Sequence, residues 1–83
     1  MYQFYTVEIT KSQAGEFAHD VKWYWDEDET KARLKAESNF HEIMSRAALS
    51  EYAMHSAILF SGEGMLAMNG CYRHEDPTVE PEG

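Results

Sequence analysis

The sequence predicts an α+β domain in ββαββ order: a four-stranded antiparallel sheet, strand order 2-1-3-4, with one helix packed on one face. Three observations point to it. Apolar and polar residues alternate over Tyr2–Thr10 and again over Glu16–Asp26, the period of half-buried strands. Between Glu27 and Leu49 the spacing lengthens to three and four, as in an amphipathic helix. Alternation then returns on both sides of the glycine-rich "SGEG", Ser61–Gly64.

In the first strand Tyr5, Val7 and Ile9 share one side, while Thr6, Glu8 and Thr10 take the other. Lys11–Gly15 reads as a turn, with Gly15 free to adopt positive φ. The second strand sets Phe17, Val21, Trp23 and Trp25 against Ala18, Asp20, Lys22 and Tyr24. Two strands joined by so short a turn make a hairpin.

"DEDE", Asp26–Glu29, reads as a helix start. Asp26 is placed as N-cap, Glu29 stands at capping-box spacing, and the carboxylates suit the positive end of the helix dipole. The helix is expected from Glu27 to about Leu49, burying a stripe of Ala36, Phe40, Ile43 and Ala47 flanked by Ala32 and Met44. Its alanines allow close approach to a sheet. Ala53–Phe60 reads as the third strand and Met65–His74 as the fourth, with Gly70 marking a bulge or weak point in the ladder. If the first strand lies between the second and third, all neighbours run antiparallel, which gives the order 2-1-3-4. The domain is thus 1–74, and "EDPTVEPEG", 75–83, is expected to be an acidic, disordered tail.

Eighty-three residues bury only about 60% of the surface of the unfolded chain, so the stability margin is thin without a staple or a partner. The single cysteine, Cys71, cannot close an internal disulfide. One free thiol fits a reducing compartment, and "MYQFYTVEIT" has no basic region followed by an apolar run, so a cytoplasmic protein is expected. No apolar stretch nears the ~20 residues that span a bilayer. Fifteen acidic against seven basic residues give a net charge of −8. Four of the acids, Glu75, Asp76, Glu80 and Glu82, fall in the last nine residues. Such a balance opposes nucleic-acid binding, which depends on cations displacing counterions.

"NFHEIMSR", Asn39–Arg46, opens like the zinc-protease signature H-E-x-x-H, but Ser45 stands where the second histidine is required. His19, His41, His55 and His74 fall on separate elements, so no metal site is expected. "FSGEG" is not a nucleophile elbow, and no helix follows it to hold a phosphate. Within a strand, Cys71 is expected to pack as a small hydrophobe. Neither an enzyme activity nor a cofactor is expected.

"KWYW", Lys22–Trp25, places Trp23 and Trp25 on the side expected to meet the helix. Tyr24 then joins Tyr2 and Phe4 on the helix-free face, an exposed aromatic patch and a possible interface. The expected role is a non-enzymatic interaction or regulatory module, a homodimer or a binder of another protein. The alternative is an acidic nucleic-acid mimic that inhibits a DNA- or RNA-binding protein.

Across Tyr2–His74 the chain, through "ESNFHEIMSRAALSEYAMHSAILFSGEGMLAMNGCYRH", resembles small ββαββ proteins encoded by bacterial phages and conjugative elements. The likeness lies in size, element order and a histidine-containing helix followed by a hairpin. It implies a cytoplasmic accessory protein and transfers no catalytic or binding residue.

Overall fold

The computed structural model describes residues 1–74, so the expected acidic tail, 75–83, lies outside the described residues. Strands β1 (Tyr2–Lys11) and β2 (Phe17–Asp26) pair antiparallel from Tyr2↔Asp26 to Lys11↔Phe17. Helix α1 (Glu29–Ala48) follows, then β3 (Met54–Ser61) and β4 (Leu66–Arg73). β3 pairs with β1 on one side and β4 on the other, so the sheet runs β2-β1-β3-β4, all antiparallel. This is the expected fold.

Both hairpins turn on the same local chemistry, S-x-x-G-x. In Ser12–Glu16 the Ser12 N–H donates to the Glu16 carbonyl at 2.8 Å and the Gly15 N–H to the Ser12 carbonyl at 2.9 Å. In Ser61–Met65 the equivalent bonds are 2.9 and 2.8 Å. Each serine Oγ also accepts the N–H four residues on, at 3.0 and 3.2 Å. The glycines take φ of +93° and +88°, a left-handed region that side chains avoid. Ser12 and Ser61 thus perform one task twice.

The helix begins two residues later than expected. Asp26 remains in β2, paired with Tyr2, so it cannot be the N-cap. Asp28 is: its Oδ1 accepts from the Thr30 and Lys31 N–H groups at 2.9 and 3.3 Å. Asp26 accepts the Asp28 N–H at 2.9 Å and pairs with Lys35 Nζ at 3.0 Å. The Asp28 amide first, then Lys35, holds the Asp26 carboxyl below its usual range. At the other end the His74 Nε2–H donates to the Ala47 carbonyl at 2.8 Å, satisfying one of the acceptors a helix terminus exposes.

α1 buries Ala32, Ala36, Asn39, Phe40, Ile43 and Ala47. Opposite them the sheet supplies Phe4, Ala57 and Leu59, with Tyr24, Met44 and Met68 packed at the margin. Thr6 Oγ1 donates to Asn39 Oδ1 at 2.7 Å. This buried pair pins the helix to β1, because separating it would strand a polar atom without water.

The irregularity expected at Gly70 lies elsewhere. Leu59 pairs with Met68 but Phe60 with Leu66, so the extra residue in β4 is Ala67. Gly70 pairs regularly with Ala57 and leaves room for the helix, since a Cβ there would meet Met44 Cε at 2.7 Å and Phe40 Cζ at 3.7 Å. Gly70→Val is therefore expected to cost about 1–3 kcal/mol through overpacking, read as a lower urea midpoint. Gly70→Ala should cost less, because only the flexible end of Met44 must move.

The helix covers the opposite face from the one the aromatic pattern suggests. Phe4 is 7% exposed and sits in the core, with Tyr24 packed against it. Trp23 and Trp25 are 47% and 55% exposed. The reason is steric. A helix whose buried stripe is half alanine must lie close, and Thr6, Ala57 and Gly70 form a low bed for it.

Candidate interaction surface

Strand alternation assigns each face. On the helix side lie Phe4, Thr6 and Glu8 of β1 and Leu59, Ala57 and His55 of β3. On the open side, rows of paired residues run across all four strands. One row is Trp23, Tyr5, Phe60 and Leu66; the next is Val21, Val7, Ile58 and Asn69. Then come His19, Ile9, Ser56 and Cys71, followed by Phe17, Lys11, Met54 and Arg73.

The first row is a continuous aromatic strip. Tyr5 packs on Trp23 with ring centroids 4.5 Å apart and stacks on Phe60 at 5.1 Å. At the opposite end the Lys11 ammonium lies 5.7 Å from the Phe17 ring centre, a cation–π distance. Four strands at ~4.8 Å spacing and eight to ten residues at ~3.3 Å rise give this face roughly 500–600 Å² in projection. With side-chain relief that is of the order of the ~800 Å² each partner contributes to a standard interface.

Charge is segregated by side. The strand carboxylates Glu8, Asp20 and Asp26 all alternate onto the helix side, where Arg46 meets Glu8 and Lys35 meets Asp26. Among the described strand residues the open face carries no carboxylate, and its cations Lys11 and Arg73 flank Met54 at one end. In a chain of net charge −8, this face is apolar and weakly cationic.

Of the residues expected at an interface, Phe4 and Tyr24 are on the covered side and cannot form the exposed patch. Tyr2 is half-exposed at the sheet's end, beside Glu29 and Gly62. Structure brings forward Tyr5, Trp23 and Phe60 instead. Trp23 and Trp25 share one side of β2, as their alternation predicts, but that side faces away from the helix. Cys71, expected to be packed, is exposed on the open face of β4.

The histidines do not converge. His19 and His41 are exposed. His55 is 2% exposed, and its Nε2–H donates to Glu8 Oε2 at 2.6 Å, with Tyr52 edge-on to its ring at 5.4 Å. Among the described residues no group of three or more His, Cys, Asp or Glu is placed to hold a metal, and no helix is long and apolar enough to cross a membrane.

Glu8 is the hub of this second cluster, also receiving Arg46 Nη1 at 3.0 Å and Nη2 at 3.4 Å. Burial pushes its carboxyl up, but the hydrogen bonds and charges of Arg46 and His55 outweigh burial and hold it below the usual range. A carboxylate depressed in the folded state stabilises above its unfolded pKa of about 4.3, and that contribution is lost as pH falls through the folded value. Thermal midpoints are therefore expected to drop on acidification below about pH 4. Glu8→Gln should lower the midpoint at neutral pH and flatten part of that acid loss; Asp26 accounts for a further part by the same sign. The cluster ties β1, β3 and α1 together with every Glu8 contact internal, which is an architectural arrangement.

No family model, curated protein or solved structure matches this chain.

Proposed function

We propose that the chain is a small, non-enzymatic cytoplasmic interaction module that works as a homodimer, two copies joined through their helix-free sheet faces. The observation that carries this reading is the open face itself: an aromatic strip of Trp23, Tyr5 and Phe60 on a surface that has no carboxylate among the described strand residues, in a chain otherwise rich in them. Exposed apolar area on this scale marks an interface. A second copy suits it. The strand acids Glu8, Asp20 and Asp26 of each protomer point away from the contact, so their repulsion acts across distances that salt screens beyond ~8–10 Å. Face-to-face packing would also supply the second buried layer that so short a chain lacks.

Sedimentation equilibrium at micromolar concentration tests this. A mass of twice the protomer is expected, together with a thermal midpoint that rises with concentration. A monomer at tens of micromolar would overturn it.

The acidic-mimic alternative has less support. A mimic needs carboxylates free to meet a partner's cations, whereas Asp26 and Asp28 are engaged at the helix start and Glu8 with Arg46.

A further inference from the structure

We infer, resting on the dimer reading above, how the two copies are oriented: the two-fold axis runs across the strands, through the row of Val7 and Ile58. Each protomer's aromatic row then lies on its partner's row of His19, Ile9, Ser56 and Cys71, strand over like strand.

The rows of the open face differ in height in a self-complementary way. On one side of Val7 and Ile58 stands the bulky row of Trp23, Tyr5, Phe60 and Leu66; on the other stand the smaller side chains His19, Ile9, Ser56 and Cys71. One row further out, the row of Phe17, Lys11, Met54 and Arg73 stands opposite the row of Trp25 and Gln3. Rotation about an axis across the strands exchanges the two sides. Each large side chain then meets a smaller one on the same strand of the second copy, Trp23 over His19, Tyr5 over Ile9, Phe60 over Ser56 and Leu66 over Cys71, as close packing requires. Lys11 meets Gln3, so the cations of the two copies stay at opposite ends. Val7 and Ile58 lie at the axis and meet their own copies.

The competing two-fold runs along the strands, and it fails on both counts. It sets the aromatic strip on the partner's aromatic strip, holding the sheets apart over Ser56 and Cys71. It also gathers Lys11 and Arg73 of both copies into one row of four like charges. Aligned sheets pack at about 30° in either case, so the choice rests on this row pattern.

Spin-label distances distinguish the two. A nitroxide is placed on Ala14→Cys in a Cys71→Ser background; Ala14 is exposed in the turn at the Lys11 end. With the axis across the strands the two labels sit at opposite ends of the dimer, on the order of 35–40 Å apart given ~3.3 Å rise and ~10 Å between sheets. With the axis along the strands they sit together at about 15–20 Å, by the same spacings. A second label on Glu63→Cys, in the turn at the aromatic end, should also report the long distance. Short distances at both positions in a protein of dimeric mass would overturn the orientation and leave the dimer standing. Absent dipolar coupling with monomeric mass would overturn the dimer, and the orientation with it.

Discussion

Replacing Phe40 by alanine is expected to remove about 3–5 kcal/mol of folding stability. Phe40 is 5% exposed at the centre of the helix stripe, and it packs in the cluster with Phe4, Ile43 and Leu59. Its neighbours cannot collapse into the space left behind, since α1 is held at fixed height by the Thr6–Asn39 hydrogen bond and the Glu8–Arg46 pair. The cost therefore includes the cavity as well as the lost transfer energy. Native domains hold only ~5–15 kcal/mol in total, and one this short sits low in that range. Urea unfolding followed by circular dichroism is the measurement. A loss under about 1 kcal/mol would mean that the helix is not seated on this core.

Replacing Val7 by glutamate is expected to abolish self-association while leaving the fold in place. Val7 stands at the middle of the open face, between Val21 and Ile58. In a single protomer a carboxylate there reaches water. In a face-to-face dimer it is buried with no cation opposite, and an uncompensated buried charge costs about 3–5 kcal/mol. That is a weakening of the dimer by roughly two to four orders of magnitude. Sedimentation reads the mass and far-ultraviolet circular dichroism the fold. Trp23→Ala provides a second route without a new charge: loss of an aromatic anchor is expected to weaken the dimer roughly 30-fold or more. Val7→Glu remaining dimeric would remove the open face from the contact.

Much of this architecture is legible in one dimension. The strand segments announce themselves by period two and the helix by spacings of three and four, because each pattern is the geometric repeat of its own element. Gly15 and Gly64 carry their turns, being the residue type that takes positive φ without strain. Other features were not legible. Asn39 interrupts the apolar stripe and reads as a surface residue until Thr6 is seen opposite it. The Glu8–His55–Arg46 cluster joins residues up to 47 positions apart, with no short spacing to betray it. Asp26 looks like a helix cap because its neighbours are acidic, yet the length of the hairpin keeps it in the sheet.

What the sequence determined by itself was element order, hairpin turns and the buried stripe of the helix. All of these depend on residues close along the chain. The facing of the sheet was decided only in three dimensions. Periodicity says which residues share a side but not which side the helix takes, and in β1 the more apolar side, Tyr5, Val7 and Ile9, is the one left open. The helix settles where it can lie close, with Asn39 bonded to Thr6 and Met44 and Phe40 over Gly70, and where Lys35 and Arg46 find Asp26 and Glu8. Close packing and charge pairing across elements outweighed the hydrophobicity of a single strand, and the aromatic residues were turned outward as a consequence.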